Sequence, residues 1–172
     1  MSSFFRSARA TMVGIAVLGA AACAGPTAGD DRTQPEEAPA LAGFDPCTFF
    51  APEELSSFGV GPEAEEFTPV SFEPGCKWNG EDMDLTFQKN EDESVQSYAT
   101  SNWDSYTEAP LAGRTAAIAV PAGGTDQGVC EAVVDTGGGV VLYGITAAFG
   151  SSVDACGEVE AIAERTASRL PE

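Results

Sequence analysis

Four cysteines, Cys47, Cys76, Cys130 and Cys156, constrain this chain most, because the segment before them directs it to where thiols pair. Residues 1–22 carry Arg6 and Arg9, no acid, and an apolar run closing on Ala20, Ala21 and Ala22. A positive lead, an apolar stretch and a small-residue exit make a secretory signal peptide over 1–22, not a spanning helix. The apolar run Ala10–Ala24 is about 15 residues, short of the roughly 20 that cross a bilayer. In an oxidising compartment an even set of four cysteines predicts two disulfides. Three pairings exist. We favour Cys47–Cys76 with Cys130–Cys156, which joins sequence-near elements without crossing, and a pairing that ties Cys47 to Cys156 is the rival. The chain has no CxxC pair and no histidine, so no metal centre is expected of these thiols.

The fifth cysteine, Cys23, follows the exit and is succeeded by Ala24, Gly25, Pro26 and a polar stretch. Ala20-Ala21-Ala22-Cys23 resembles a bacterial lipobox, with Ala20 where the usual pattern has Leu. The resemblance implies that Cys23 is acylated and becomes the first residue of the mature chain; ordinary cleavage after Ala22 would instead release a secreted product. Residues 23–43 then read as the lipidated cysteine and a flexible tether. This stretch has Leu41 as its only large aliphatic residue before the final Phe-led segment, too little apolar surface to offset ordering. Residues 44–172 read as a single extracytoplasmic globular domain, long enough to bury a core.

Of the eight basic residues Arg6 and Arg9 leave with the leader, so six face 27 acids and the mature net charge is −21. Such a chain is a poor partner for nucleic acid, whose phosphates need Lys and Arg. Anionic lipid headgroups would repel it too, so its expected hold on the membrane is the covalent lipid on Cys23.

Within the domain, Asp45-Pro46 and Pro52-Glu53-Glu54-Leu55 are helix-start signals, and Gly59 is a stop. Phe49, Phe50, Leu55 and Phe58 form the expected buried face. Gly61–Glu73 is Pro- and Glu-rich and reads as loop. Gly75–Asn79 and Met83–Gln88 read as an antiparallel pair. Ser94–Tyr106 has helical period, with Val95, Tyr98, Ala99, Asn102, Trp103 and Tyr106 along one stripe; its aromatics suit core packing, or a ligand platform. Thr115–Val120, Val129–Asp135 and Val140–Phe149 read as strands, with Val141, Tyr143, Ile145, Ala147 and Phe149 on the core side. A last helix over Asp154–Leu170 carries Arg165 and Arg169 near its end, as the helix dipole favours. The order helix, two strands, helix, three strands, helix predicts an α+β domain. Its sheet is mostly antiparallel, of about five strands, with helices packed on one face.

The chemistry missing from the chain is informative. Without histidine there is no Ser-His-Asp or Cys-His nucleophile and no His metal site. Gly137-Gly138-Gly139 lacks the Lys-Ser/Thr ending of a phosphate loop. The acidic runs at Glu81–Asp84 and Glu91–Glu93 do not have the spacing of a calcium loop. No cofactor is expected. Acids are too numerous for any pair to be singled out for glycoside cleavage.

Several markers stand in order: Ala20-Ala21-Ala22-Cys23, Asp45-Pro46-Cys47, Pro52-Glu53-Glu54-Leu55, Cys76-Lys77-Trp78, Gly113-Arg114-Thr115-Ala116, Cys130, and Asp154-Ala155-Cys156 before a helix ending Leu170-Pro171. Together they resemble the actinobacterial lipoprotein family of the "domain of unknown function 3558" type, over nearly all of the domain. The resemblance implies an envelope lipoprotein on the outer face of the cell membrane, with no assigned activity and no catalytic residues. More loosely, the layout is similar to small PsbP/Mog1-type envelope domains and to cystine-bridged sensor domains of actinobacterial kinases, a likeness of fold only. Trp78 and Arg114 are the candidate binding residues: Trp78, next to an expected cystine, suits core packing or binding, and Arg114 suits a ligand carboxylate or phosphate or the neutralisation of a neighbouring acid. The expected function is a non-enzymatic, lipid-anchored binding or accessory domain whose partner is an envelope protein or a ligand. The alternatives are a regulatory accessory of a membrane sensor kinase and a small carboxylate-dependent hydrolase.

Overall fold

Two mainly apolar runs, Val129–Asp135 and Val140–Ala147, lie side by side in the interior of the sheet, where they bury residues on both faces. Between them Gly137 and Gly139 take φ of +75° and +137°, which lets the chain reverse within four residues. The computed structural model that reveals this arrangement describes residues 40–172. The leader, Cys23 and the tether up to residue 39 lie outside the described residues.

In chain order the strands are β1 (Glu65–Phe67), β2 (Gly75–Trp78), β3 (Met83–Asn90), β4 (Trp103–Glu108), β5 (Ala116–Pro121), β6 (Val129–Asp135) and β7 (Val140–Ala147). They form one sheet in the order β1-β2-β3-β7-β6-β5-β4, every neighbouring pair antiparallel. The helices are α1 (Pro52–Ser57), α2 (Val95–Tyr98) and α3 (Ala155–Thr166), with 3₁₀ turns at Pro46–Thr48 and Ala167–Arg169.

Alternate strand residues point to opposite sides, and the register defines two faces. Cys76, Phe87, Tyr143, Ala132 and Ile118 are successive cross-strand partners on one face, as are Trp78, Leu85, Ile145 and Cys130. This face is roofed by the first 3₁₀ turn, Phe50, Leu55 and Phe58, and by Val159, Ile162 and Ala163 of α3. Phe50, Phe87 and Tyr143 pack ring on ring, with Phe87 5.1 Å from Phe50 and 4.7 Å from Tyr143 between centroids. The N-terminus of α3 is set by Asp154, whose carboxylate accepts from the Gly157 amide at 3.2 Å. The disulfides are Cys47–Cys76 and Cys130–Cys156, each with Cα atoms 5.1 Å apart. Each fastens a roof element to a strand of this face, the favoured pairing. Leu41, counted above within the tether, is fully buried in the same core, and its carbonyl accepts from Lys89 Nζ at 3.0 Å.

The opposite face carries Ala117, Val133, Val140 and Leu142, buried beneath Val95 and Tyr98 of α2. Helices therefore lie on both faces, not on one. The expectation of about five strands also needs correction, for the sheet has seven. The sixth comes from Glu65–Phe67 in the expected loop, a short acidic edge strand that discourages further pairing. The seventh comes from the expected helix over Ser94–Tyr106. Ser94 caps only α2, accepting from the Ser97 amide at 3.2 Å, and the chain then extends as β4. The register slips by one residue between Trp103 and Ser105, so a bulge at Asp104 places Trp103 and Tyr106 on the same side. That bulge is why a strand imitated helical spacing. Phe149, expected on the core side, lies past the end of β7 and is fully exposed.

Candidate functional site

Beyond α2 the second face has no helical cover, and the sheet becomes the floor of a groove of about 480 Å³. Thr86 of β3, Gly144 of β7 and Glu131 of β6 cross this floor as one row of strand partners. Tyr98 from the end of α2 and Trp103 from the start of β4 line it from the β4 side of the sheet. Phe67, Pro69 and Glu73, from β1 and the loop after it, line it from the other. A space of this size suits a small ligand.

Hydrogen bonds fix the walls. Tyr98 donates its phenol to Glu73 Oε1, and Asn90 Nδ2 donates to Tyr98 Oη at 3.0 Å. Gln88 Nε2 donates to the Glu73 carbonyl at 3.1 Å, and Trp103 Nε1 to the Tyr98 carbonyl at 2.6 Å. The loop that carries Glu73 is thereby tied to α2 above the sheet. Burial, and then the bond to Glu73, push the Tyr98 phenol well above its ordinary pKa, so it stays a donor.

Glu131 is different. Among the described residues its carboxyl is engaged by no hydrogen bond or ion pair, and burial first, then the negative charge of Glu73, push its pKa up to about 7. Gly144 makes room for the Thr86 hydroxyl next to it. A Cβ there would lie 2.3 Å from Thr86 Oγ1 and 3.8 Å from Glu131 Cγ. A glycine inside a central strand weakens it, and the close approach that requires one here is that of the Thr86 side chain.

The candidates named from sequence lie elsewhere. Trp78 is 1% exposed and packs edge-on against Phe50 at 5.4 Å, a core residue on the other face. Arg114 is also occupied: Nη1 donates to the carbonyls of Asp135 (3.2 Å) and Pro171 (3.1 Å), and Nη2 to that of Leu170 (2.6 Å). It anchors the C-terminal segment. Cys23 is outside the described residues. Sequence reasoning raised the Tyr98 and Trp103 aromatics as a platform but missed Glu73, Thr86, Glu131 and Gly144. In its strand Glu131 reads as an ordinary wet position, so the only available signal was the glycine inside Val140–Ala147.

Among the described residues no group of three or more Cys, Asp or Glu could hold a metal ion, and no helix is long and apolar enough to cross a membrane. A family model described as "Protein of unknown function (DUF3558)" matches residues 18–169. No match was found among curated proteins or among solved structures.

Proposed function

We propose that this chain, which belongs to the DUF3558 family, is a non-enzymatic binding protein held to the outer face of a cell membrane by a lipid on Cys23, with its ligand in the groove. The observation that carries the binding reading is the groove's composition. A few polar groups, Thr86, Gln88, Glu73 and Glu131, converge on a space walled by Phe67, Tyr98 and Trp103. The anchor is supported by the leader, the placement of Cys23, and two cystines of the kind that persist in an oxidising compartment.

Each half has its own test. Replacing Cys23 by Ala should move the protein from the membrane fraction to the medium; retention in the membrane defeats the anchor. Titrating the ¹⁵N-labelled full chain with a panel of small charged and neutral solutes should shift amides at Thr86, Glu131, Gly144 and Trp103. Shifts confined to other surfaces defeat the groove.

One observation favours a second reading. A carboxyl poised near 7 in a groove beside another carboxylate is the equipment of a small hydrolase. Turnover of glycoside substrates that is lost in Glu131→Gln would establish it in place of simple binding.

A further inference from the structure

The groove's lining holds two carboxylates, three aromatic rings and no lysine or arginine. We propose, building on the binding reading above, that it takes a free, compact organic ammonium ion, its charge beside Glu131 and Glu73 and its alkyl groups against Trp103 and Phe67. Three properties of the site converge on that class. Aromatic faces attract cations and also shelter their methyl groups, most strongly where water is excluded. Glu131 is held near the sheet with no cationic partner among the described residues, so an incoming positive charge supplies what the protein itself does not. A bare metal ion does not fit, since the described residues offer no cluster to coordinate one, whereas the volume of about 480 Å³ accommodates an organic group.

Gly144 fixes the shape of the floor. The Thr86 hydroxyl stands 2.3 Å from where a Cβ would be, so any larger residue at 144 would have to displace the threonine and rearrange the floor next to Glu131. The other charged and titratable groups on this face include Glu65 of β1, the partner of Lys77, which accepts from Asn79 Nδ2 at 3.0 Å, and Asp135 of β6, which accepts from the Gly137 amide at 2.7 Å. Lys77 of β2 is paired with Asp84 of β3 at 2.8 Å, Glu73 accepts from Tyr98, and β4 contributes Tyr106 and Glu108 beyond Ala119 and Ala117. Tyr106 is itself engaged, donating to the Val95 carbonyl at 2.6 Å. β7 contributes no titratable group, its residues on this face being Val140, Leu142, Gly144 and Thr146. Binding therefore has one proton to displace: the Glu131 carboxyl, half protonated near pH 7, becomes a carboxylate and its proton passes to buffer.

The test is isothermal titration calorimetry of the full chain in detergent micelles, with choline as the probe and 3,3-dimethyl-1-butanol as its neutral isostere. We expect choline to bind at least about tenfold more tightly than the isostere. Buffers of different ionisation heat should reveal about half a proton released per choline at pH 7, and affinity should rise as pH increases through about 7. Glu131→Gln should abolish the proton release and weaken choline about tenfold at alkaline pH. Gly144→Ala should block binding; if circular dichroism shows that variant unfolded, the proton count of Glu131→Gln decides. Equal binding of the isostere, lost in Gly144→Ala, would overturn the ammonium inference and leave the groove standing. Choline binding indifferent to both substitutions would overturn it by placing the ion elsewhere. Failure of every probe to bind, with the amide panel also silent at the groove, removes both readings.

Discussion

The two faces of the sheet are built from alternate residues of the same strands, yet they differ in kind. On the roofed face, Phe87, Tyr143, Ile145 and Cys130 are each 0% exposed, sealed by the N-terminal phenylalanines and α3, and fastened by both cystines. On the other, Val133 and Leu142 are sealed by α2, but the same strands then present Glu131, Thr86 and Gly144 to a groove. One face holds the fold together; the other keeps polar groups and a gap at a cost to stability. A sheet can tolerate this because burial of one complete face already supplies a contiguous apolar core.

The sharpest way to break the comparison is through the roofed face. Phe87→Ala removes the ring that Phe50 and Tyr143 pack against and should cost about 3–5 kcal/mol in denaturant unfolding. A cost near zero would mean that this face is not the core. Next in size is the bridge between β6 and α3. Replacing Cys130 and Cys156 together by Ala should cost about 2–4 kcal/mol, because the unfolded chain regains the freedom of the closed loop. The groove should survive that change in the amide titration, since no cystine reaches its face. Arg114→Met should cost about 1–3 kcal/mol by leaving three carbonyls without their donor. It should leave solute binding unchanged, and a loss of binding would restore Arg114 as a ligand contact.

The same contrast explains what could be read from the sequence. The roofed face was legible: alternation along β7 pointed out Val141, Tyr143 and Ile145, and the spacing of the cysteines favoured the pairing that the structure has. Trp78 was visible as a notable residue for the same reason, being a core aromatic next to a cystine. The open face was not legible, because its information is non-local. The bulge at Asp104 disguised β4 as a helix. Glu65–Phe67 becomes a strand only because β2 is there to pair with it. The groove is assembled from β3, β6, β7, α2 and a loop, so no short window contains it. Glu131 gains its unusual carboxyl only from neighbours far along the chain, chiefly the cover that buries it and Glu73.

The smallest effect tests the open face directly. Glu131 has its pKa raised in the folded protein, from an ordinary 4.5 to about 7. Below pH 4.5 the group is protonated whether the chain is folded or not, and it contributes nothing. As pH rises from 4.5 towards 7, the unfolded chain loses this proton while the folded chain retains it in part, so stability falls; above 7 the loss is complete. Gln has no such proton. Glu131→Gln should therefore unfold like the parent in acid and be more stable above pH 7, by on the order of 1–2 kcal/mol once partial exposure is allowed for. The gap should open between pH 4.5 and 7. If the two proteins instead differ by a constant amount at every pH, Glu131 is an ordinary surface acid and the open face harbours no stored electrostatic cost. A gap that opens in that window and closes again when choline is added would tie the cost to the ligand, since a bound cation stabilises the ionised carboxylate that the empty groove disfavours.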